Sequence, residues 1–299
     1  MKESFKFNQV TGLLAGLTVV MIWSGWIIIS KWGVSHALTV WDVTGIRFAT
    51  AGIIAVIYAL ISKTSLKTLF TPKIIVCSLC CGTFYVCASL IGLLISDAAN
   101  TGVIINGCLP IMCAFILLLW KRERLNAAQV IGVLLILVAN ALLFTSSGGA
   151  SLSALLWLLL AAFFIAFYSV SMKVWEIEIK TIMLAVPVIN ALFFTPIWFF
   201  LPSHLTMAPL AEIALQSAYQ GIVVSIIALF CMSYSIRQLG AVSASTIMAL
   251  VPMVSVLLAL YFLDQHMSLQ MAMSIVLCSV GIACYSALKP TMLWLKNKS

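Results

Sequence analysis

The sequence predicts an all-α integral membrane protein of ten transmembrane helices, arranged as two inverted five-helix repeats. Three features lead there: apolar runs long enough to cross a bilayer, a one-sided distribution of Lys and Arg between them, and a self-similarity between the two halves of the chain.

Composition sets the solvent. Of 299 residues, 64% are hydrophobic and 8% charged, far more apolar than a soluble domain. A soluble chain of this kind would expose apolar patches that a monomer does not tolerate, so the expected partner is the lipid bilayer. The net charge of +8 raises the question of nucleic acid. The basic residues, however, sit in short clusters between apolar runs rather than in one patch, which is the pattern of membrane orientation. No nucleic-acid partner is expected.

A helix needs about 20 apolar residues to cross the hydrocarbon core. Runs that qualify cover 10–31, 40–62, 74–95, 98–120, 127–144, 152–173, 181–202, 218–238, 241–263 and 268–288. The first carries Trp23 and Trp26, is too long for the core of a signal peptide and lacks a clear small-residue cleavage site, so it reads as a retained helix. Connections are short, and only 203–217 is a loop of any size. The stretch Ser146-Ser147-Gly148-Gly149-Ala150-Ser151 reads as a flexible joint. It separates an N-terminal repeat at 1–145 from a C-terminal repeat at 152–288, with 289–299 as a tail.

With the N-terminus inside, the inner segments hold fourteen of the sixteen Lys and Arg, among them Lys2, Lys63, Lys67, Lys73, Lys121, Arg122, Lys173, Arg237 and Lys298. The outer segments hold Lys31, and Arg47 falls inside the second helix. A wrong helix count would scramble this alternation, so the bias supports ten spans with both termini cytoplasmic.

Setting Pro110 against Pro252 brings Ala99 to Ala241, Thr101 to Ser243, Ile105 to Ile247 and Leu118 to Leu260. Each half then holds five helices. Five is odd, so the halves enter the membrane in opposite senses, and one can rock against the other around a midplane site.

These residues also resemble a known family. Met21-Ile22-Trp23-Ser24-Gly25-Trp26 and its continuation to Val34 look like the first helix of the EamA branch of the drug/metabolite transporter superfamily. Asp42-Val43-Thr44-Gly45-Ile46-Arg47-Phe48 resembles its second-helix motif. Pro110 followed by Glu123-Arg124-Leu125, echoed by Pro252 and Asp264-Gln265, resembles its fourth and ninth helices, although Lys121-Arg122 replaces the usual Leu-Gly before Glu123. The resemblance covers nearly the whole chain. It implies two five-helix halves around a central cavity, and export or exchange of a small-molecule substrate. Family substrates range over amino acids, sugars, nucleotides and drugs, so fold alone does not name this one.

Charge inside the membrane is expensive and therefore informative. Arg47 lies about 10 Å into the second helix at 1.5 Å per residue. It either attracts anionic cargo or locks a gate, or else it is structural, bonding backbone carbonyls or Asp42. Lys31 ends the first helix and can snorkel outward. All eight acids map to helix ends or loops, with Asp42 the best remaining proton carrier. Facilitated diffusion or exchange is thus favoured over obligate proton antiport. Polar and aromatic residues at mid-span form the candidate substrate site: Trp23, Ser24, Trp26, Tyr85, Asn106, Tyr168, Tyr234, Ser245 and Thr246. The alternative for each is helix packing or an interfacial belt. Pro110 and Pro252 are expected helix breaks, each freeing the carbonyl four residues before it.

The nine cysteines lie within apolar runs and read as small hydrophobes rather than metal ligands. There is no phosphate-binding loop and no hydrolase motif. The expectation is a secondary transporter, not an enzyme, without cofactor or metal, in a bacterial inner membrane. It would move an amino acid or related amphipathic metabolite, most simply outward. Uptake or exchange of a nucleotide-type metabolite such as S-adenosylmethionine is the alternative within transport, and a membrane-embedded enzyme or scaffold subunit the alternative outside it. Oligomeric state is left open, a monomer included.

Overall fold

The computed structural model describes residues 2–96, 98–122, 125–146, 151–262 and 268–287. The turn residues 123–124 and 263–267, the joint at 147–150 and the tail from 288 lie outside the described residues, and so does the side chain of Lys31. Among the described residues every regular element is helical. They are α1 (Lys2–His36), α2 (Val40–Ile61), α3 (Pro72–Leu94), α4 (Ala98–Lys121), α5 (Ala127–Ser146), α6 (Leu152–Val174), α7 (Ile179–Trp198), α8 (Leu210–Leu239), α9 in two pieces (Ala241–Met248 and Val251–Phe262) and α10 (Leu269–Ala287). A short 3₁₀ turn, Leu66–Leu69, sits between α2 and α3.

Helix boundaries follow local chemistry. Thr39 caps α2, with its side chain accepting from the Asp42 N–H and the Asp42 carboxylate accepting from the Thr39 N–H. This reciprocal pair satisfies two of the donors that a helix start leaves open. Thr71 caps α3 ahead of Pro72, and Ser151 caps α6. After α2 and α6 the chain turns through Lys63 (φ 51°) and Glu176 (φ 52°), with Thr64 N–H donating to Ala59 O and Ile177 N–H to Met172 O. These are left-handed closures that use up the last carbonyls of a helix.

Seven of these helices are long and apolar enough to cross a membrane: α1 to α4 and α6 to α8. The apolar parts of α5, α9 and α10 within the described residues are shorter: Ala127–Leu142, Ala241–Ser255 and Ala272–Ile282.

Three expectations need correction. The stretch 203–217 is not all loop, because α8 begins at Leu210. Pro209 precedes a run of good helix formers, with Glu212 in the first turn where the helix dipole favours an acid. Pro110 does not break its helix, since α4 runs through it. A single lost bond is tolerated where neighbouring helices surround the site. Pro252 does sit beside a break, but at its far side. Ala249 N–H donates to both Ser245 O and Thr246 O, Leu250 N–H donates to Ile247 O, and the helix restarts at Val251. Pro252 thus falls in a first helical turn, where it has no bond to lose.

The helices pack in a pattern that survives exchanging each for the one five places along. α2 packs on α7 and α5 on α10; α1 on α8 mirrors α6 on α3; α4 on α6 mirrors α9 on α1; and α2 on α8 mirrors α7 on α3. The largest core runs through the central contacts, with Tyr168, Phe48, Leu90 and Leu158 fully buried in it, while smaller clusters form around Ile136, Ala139 and Cys278 between α5 and α10 and around Ala55, Leu184 and Ile189 between α2 and α7.

Candidate functional site

The first three helices of each half meet at the centre. Trp23 from α1, Arg47 and Ala51 from α2, Cys81, Gly82 and Tyr85 from α3, Tyr168 from α6, Pro187 from α7 and Ser225 and Met232 from α8 line one cavity. Its water-accessible volume is about 30 Å³, room for one or two waters. α1, α2 and α3 thus face their counterparts α6, α7 and α8.

Arg47 is the cavity's charged group. It is 8% exposed, and its Nε is fully buried without a hydrogen-bond partner. Asp42 does not serve it. The Asp42 carboxylate instead accepts from Thr39 N–H, Trp198 Nε1–H, Ser203 Oγ–H and His204 N–H. It therefore ties the start of α2 to the connection between α7 and α8, and Thr39 Oγ–H reaches Pro202 O across the same junction. The other acids whose side chains are described are Glu176 and Glu178, both exposed, and Glu212, buried in the first turn of α8. None of the four lines the cavity.

Aromatic rings form the wall beside Arg47. Tyr85 lies between Trp23 and Trp26, with ring centroids 6.4 and 6.5 Å away and planes inclined by 28° and 29°. These offset stacks suit the quadrupoles of the rings. The Trp26 Nε1–H donates to Gln220 Oε1 (2.9 Å), and Gln220 Nε2 donates to Ser30 Oγ (2.8 Å) and Gln216 Oε1. Gln216 Nε2 in turn donates to Ile29 O. This polar seam joins α1 to α8. On the other side of the cavity the Tyr168 hydroxyl pairs with Ser233 Oγ at 2.7 Å.

α3 is interrupted where it touches the cavity. Cys80–Phe84 is π-helical, and Gly82 has non-helical dihedrals (φ −102°, ψ −110°). Asn190 of α7 fills the interruption. Its Oδ1 accepts from Thr83 N–H (2.6 Å) and Thr83 Oγ–H (2.8 Å), while its Nδ2 donates to Ser78 O (2.9 Å) and Val186 O (2.8 Å). A side chain thereby satisfies backbone groups that lipid could not. A Cβ at Gly82 would lie 2.1 to 2.2 Å from the Asn190 amide. α8 is also π-helical, over Ser217–Ala228, and a Cβ at Gly221 would lie 2.5 Å from Thr50 of α2. Turns of this type collect at functional sites.

Not every sequence candidate reaches the cavity. Trp23, Arg47, Tyr85 and Tyr168 do, and Trp26 supports Tyr85 from behind. Tyr234 does not: its hydroxyl pairs with Thr11 Oγ and its ring stacks on Phe230. Ser24 donates to Val20 O and to Val251 O, at the restart of α9. Asn106 donates to Gly102 O, and Ser245 and Thr246 both donate to Val242 O, so all three turn back onto their own helices. Asn190, Gln220 and Gly82 were not foreseen as candidates. The available signal was polarity, since Asn190 and Gln220 carry amides within otherwise apolar spans.

Comparison with known proteins agrees with this architecture. The chain resembles a solved structure described as "Crystal structure of protein", with a TM-score of 0.71 and 18% identity, covering 94% of this chain and 97% of that one. At that identity the likeness concerns the fold alone. No curated protein matches the chain. The EamA-like transporter family matches twice, over residues 10–145 and 152–287, which makes this a multi-pass membrane protein built from two repeats. On those two matches, which span both halves, the chain belongs to the EamA-like transporter family.

Proposed function

We propose that this chain is a secondary transporter of ten membrane crossings, its two five-helix halves inserted in opposite senses with both termini cytoplasmic. It moves a small organic metabolite, an amino acid or related amphipathic compound, outward across a bacterial inner membrane. The observation that carries this reading is the cavity itself, walled by α1, α2 and α3 and by their counterparts α6, α7 and α8. A site shared by equivalent elements of two halves is reached from either side when one half rocks on the other. At about 30 Å³ the cavity admits no organic solute as it stands, so loading requires the halves to part. The seams that must give at the end where α1 and α7 finish and α2 and α8 begin are the Asp42 junction and the Gln220 network.

The test is counterflow in liposomes containing only the purified full chain, with labelled amino acids and their analogues preloaded. Accumulation above empty liposomes supports transport, and its absence across the set refutes it. For a solute that moves, Trp23→Leu and Tyr85→Leu should weaken apparent affinity by about 2- to 30-fold, from roughly 0.5–2 kcal/mol per aromatic contact. Tyr234→Phe should leave it unchanged, because that ring lies away from the cavity.

A further inference from the structure

We infer that the transported solute presents a single carboxylate to Arg47, with an apolar or aromatic body against Trp23, Tyr85 and Tyr168. This rests on the transport reading above and names the chemical class that the same site selects.

The argument starts from an imbalance. A guanidinium inside a membrane is costly and normally pairs with an acid or with carbonyls. Arg47 is buried, its Nε has no partner, and no described carboxylate lines its cavity. The acid nearest in sequence, Asp42, has its oxygens occupied by donors from Thr39 at the cap of α2, from Trp198 of α7 and from Ser203 and His204 of the α7–α8 connection. Among the described residues the site therefore carries one positive charge with no carboxylate beside it, facing a space between the two halves. An incoming carboxylate supplies the missing charge, and the planar fork of the guanidinium matches its two oxygens.

The remainder of the lining sets the rest of the solute. Trp23, Tyr85 and Tyr168 present ring surface, Met232 and Ala51 present apolar surface, and the apolar share of the lining exceeds the polar. A dianionic phosphate would bring a second negative charge to a lining in which Arg47 is the one cation among the described residues. A cationic solute such as a sulfonium or free amine would add charge of the wrong sign, with ring faces alone to receive it. A carboxylate on a compact apolar body meets both requirements.

The experiment uses matched pairs differing only in the charged group: phenylacetate with phenylacetamide and phenethylamine, indole-3-acetate with its amide and tryptamine, and leucine with leucinamide. Phenyl phosphate is the dianion probe. Binding to the purified full chain is read from tryptophan fluorescence, and movement from liposome counterflow. In every set that binds, the acid should bind about 30-fold or more tightly than its amide or amine, the low end for removing one partner of a buried charge pair. That preference should vanish in Arg47→Gln and persist, weakened, in Arg47→Lys.

Equal binding by acid and amide in the wild-type chain overturns the inference without recourse to any variant. So does a preference that survives Arg47→Gln, or tighter binding of phenyl phosphate than of phenylacetate. In each case the transport reading stands if solutes still move. If no member of any set binds or moves while other labelled amino acids still undergo counterflow, this inference fails alone; if those are not moved either, the transport reading fails with it.

Discussion

Replacing Gly82 by alanine tests the interrupted α3 directly. The new Cβ would stand 2.1 to 2.2 Å from three atoms of the Asn190 amide, far inside van der Waals contact, so the amide must leave. Its departure removes four hydrogen bonds: two accepted from Thr83 and two donated to Ser78 O and Val186 O. At about 0.6 kcal/mol for each polar contact in a membrane helix bundle, that is about 2.4 kcal/mol. Leaving the buried Thr83 N–H unpaired adds about 1–3 kcal/mol, and the total comes to about 3–5 kcal/mol. Asn190→Ala should cost a similar amount. The two should not add: with the amide already gone, the Gly82 methyl meets little, so the second substitution should cost under about 1 kcal/mol. The assay is a double-mutant cycle on reversible unfolding in mixed micelles, read by circular dichroism. A coupling of about 2–4 kcal/mol is expected. Costs that add to within about 0.5 kcal/mol would mean that Gly82 and Asn190 act independently, and the account of the break would be wrong. Tyr85 follows the break by three residues in the same helix, so Gly82→Ala should also weaken solute binding in the wild-type background.

Two further expectations concern the ends of the helices. Asp42→Ala removes both acceptor oxygens, so Trp198, Ser203, Thr39 and His204 all lose their partner; hydrogen exchange at the His204 amide should accelerate about 5- to 150-fold, from the roughly 1–3 kcal/mol of an unpaired polar group, and an unchanged rate would show that Asp42 does not hold this junction. Topology is checked with single cysteines in a chain stripped of its nine native ones: an impermeant thiol reagent should label Met207→Cys from outside and Lys67→Cys from inside, both positions being exposed, and labelling of both from one side would overturn the proposed orientation.

Much of the architecture was legible before any coordinates. Burial of every backbone group in lipid leaves a chain of this composition little choice but helices, and the runs of apolar residues located α2, α4, α6 and α7 to within a few residues. The family resemblance carried by Trp23 to Trp26 and by Asp42 to Phe48 holds over both matched segments. Arg47 announced itself because a charge within an apolar run has few explanations.

What the sequence by itself determined was therefore the solvent, the element type, the repeat and the presence of one buried cation. Only the tertiary structure decided which polar groups meet. A soluble helix betrays its inward face by an apolar stripe, but a helix in lipid is apolar all round, so periodicity could not separate Tyr85, which faces the cavity, from Tyr234, which does not. The partners of Asn190 in α3 lie 107 and 112 residues away. Nothing local marks Gly82 as a break, because the break exists only where that amide of α7 arrives to satisfy the freed backbone. Likewise Pro110 and Pro252 match in sequence yet differ in outcome: α4 runs through Pro110, whereas the chain breaks beside Pro252, where Ala249 O receives the Cys278 Sγ–H of α10 and Ser24 of α1 reaches Val251 O, contacts made by folding and not by spacing.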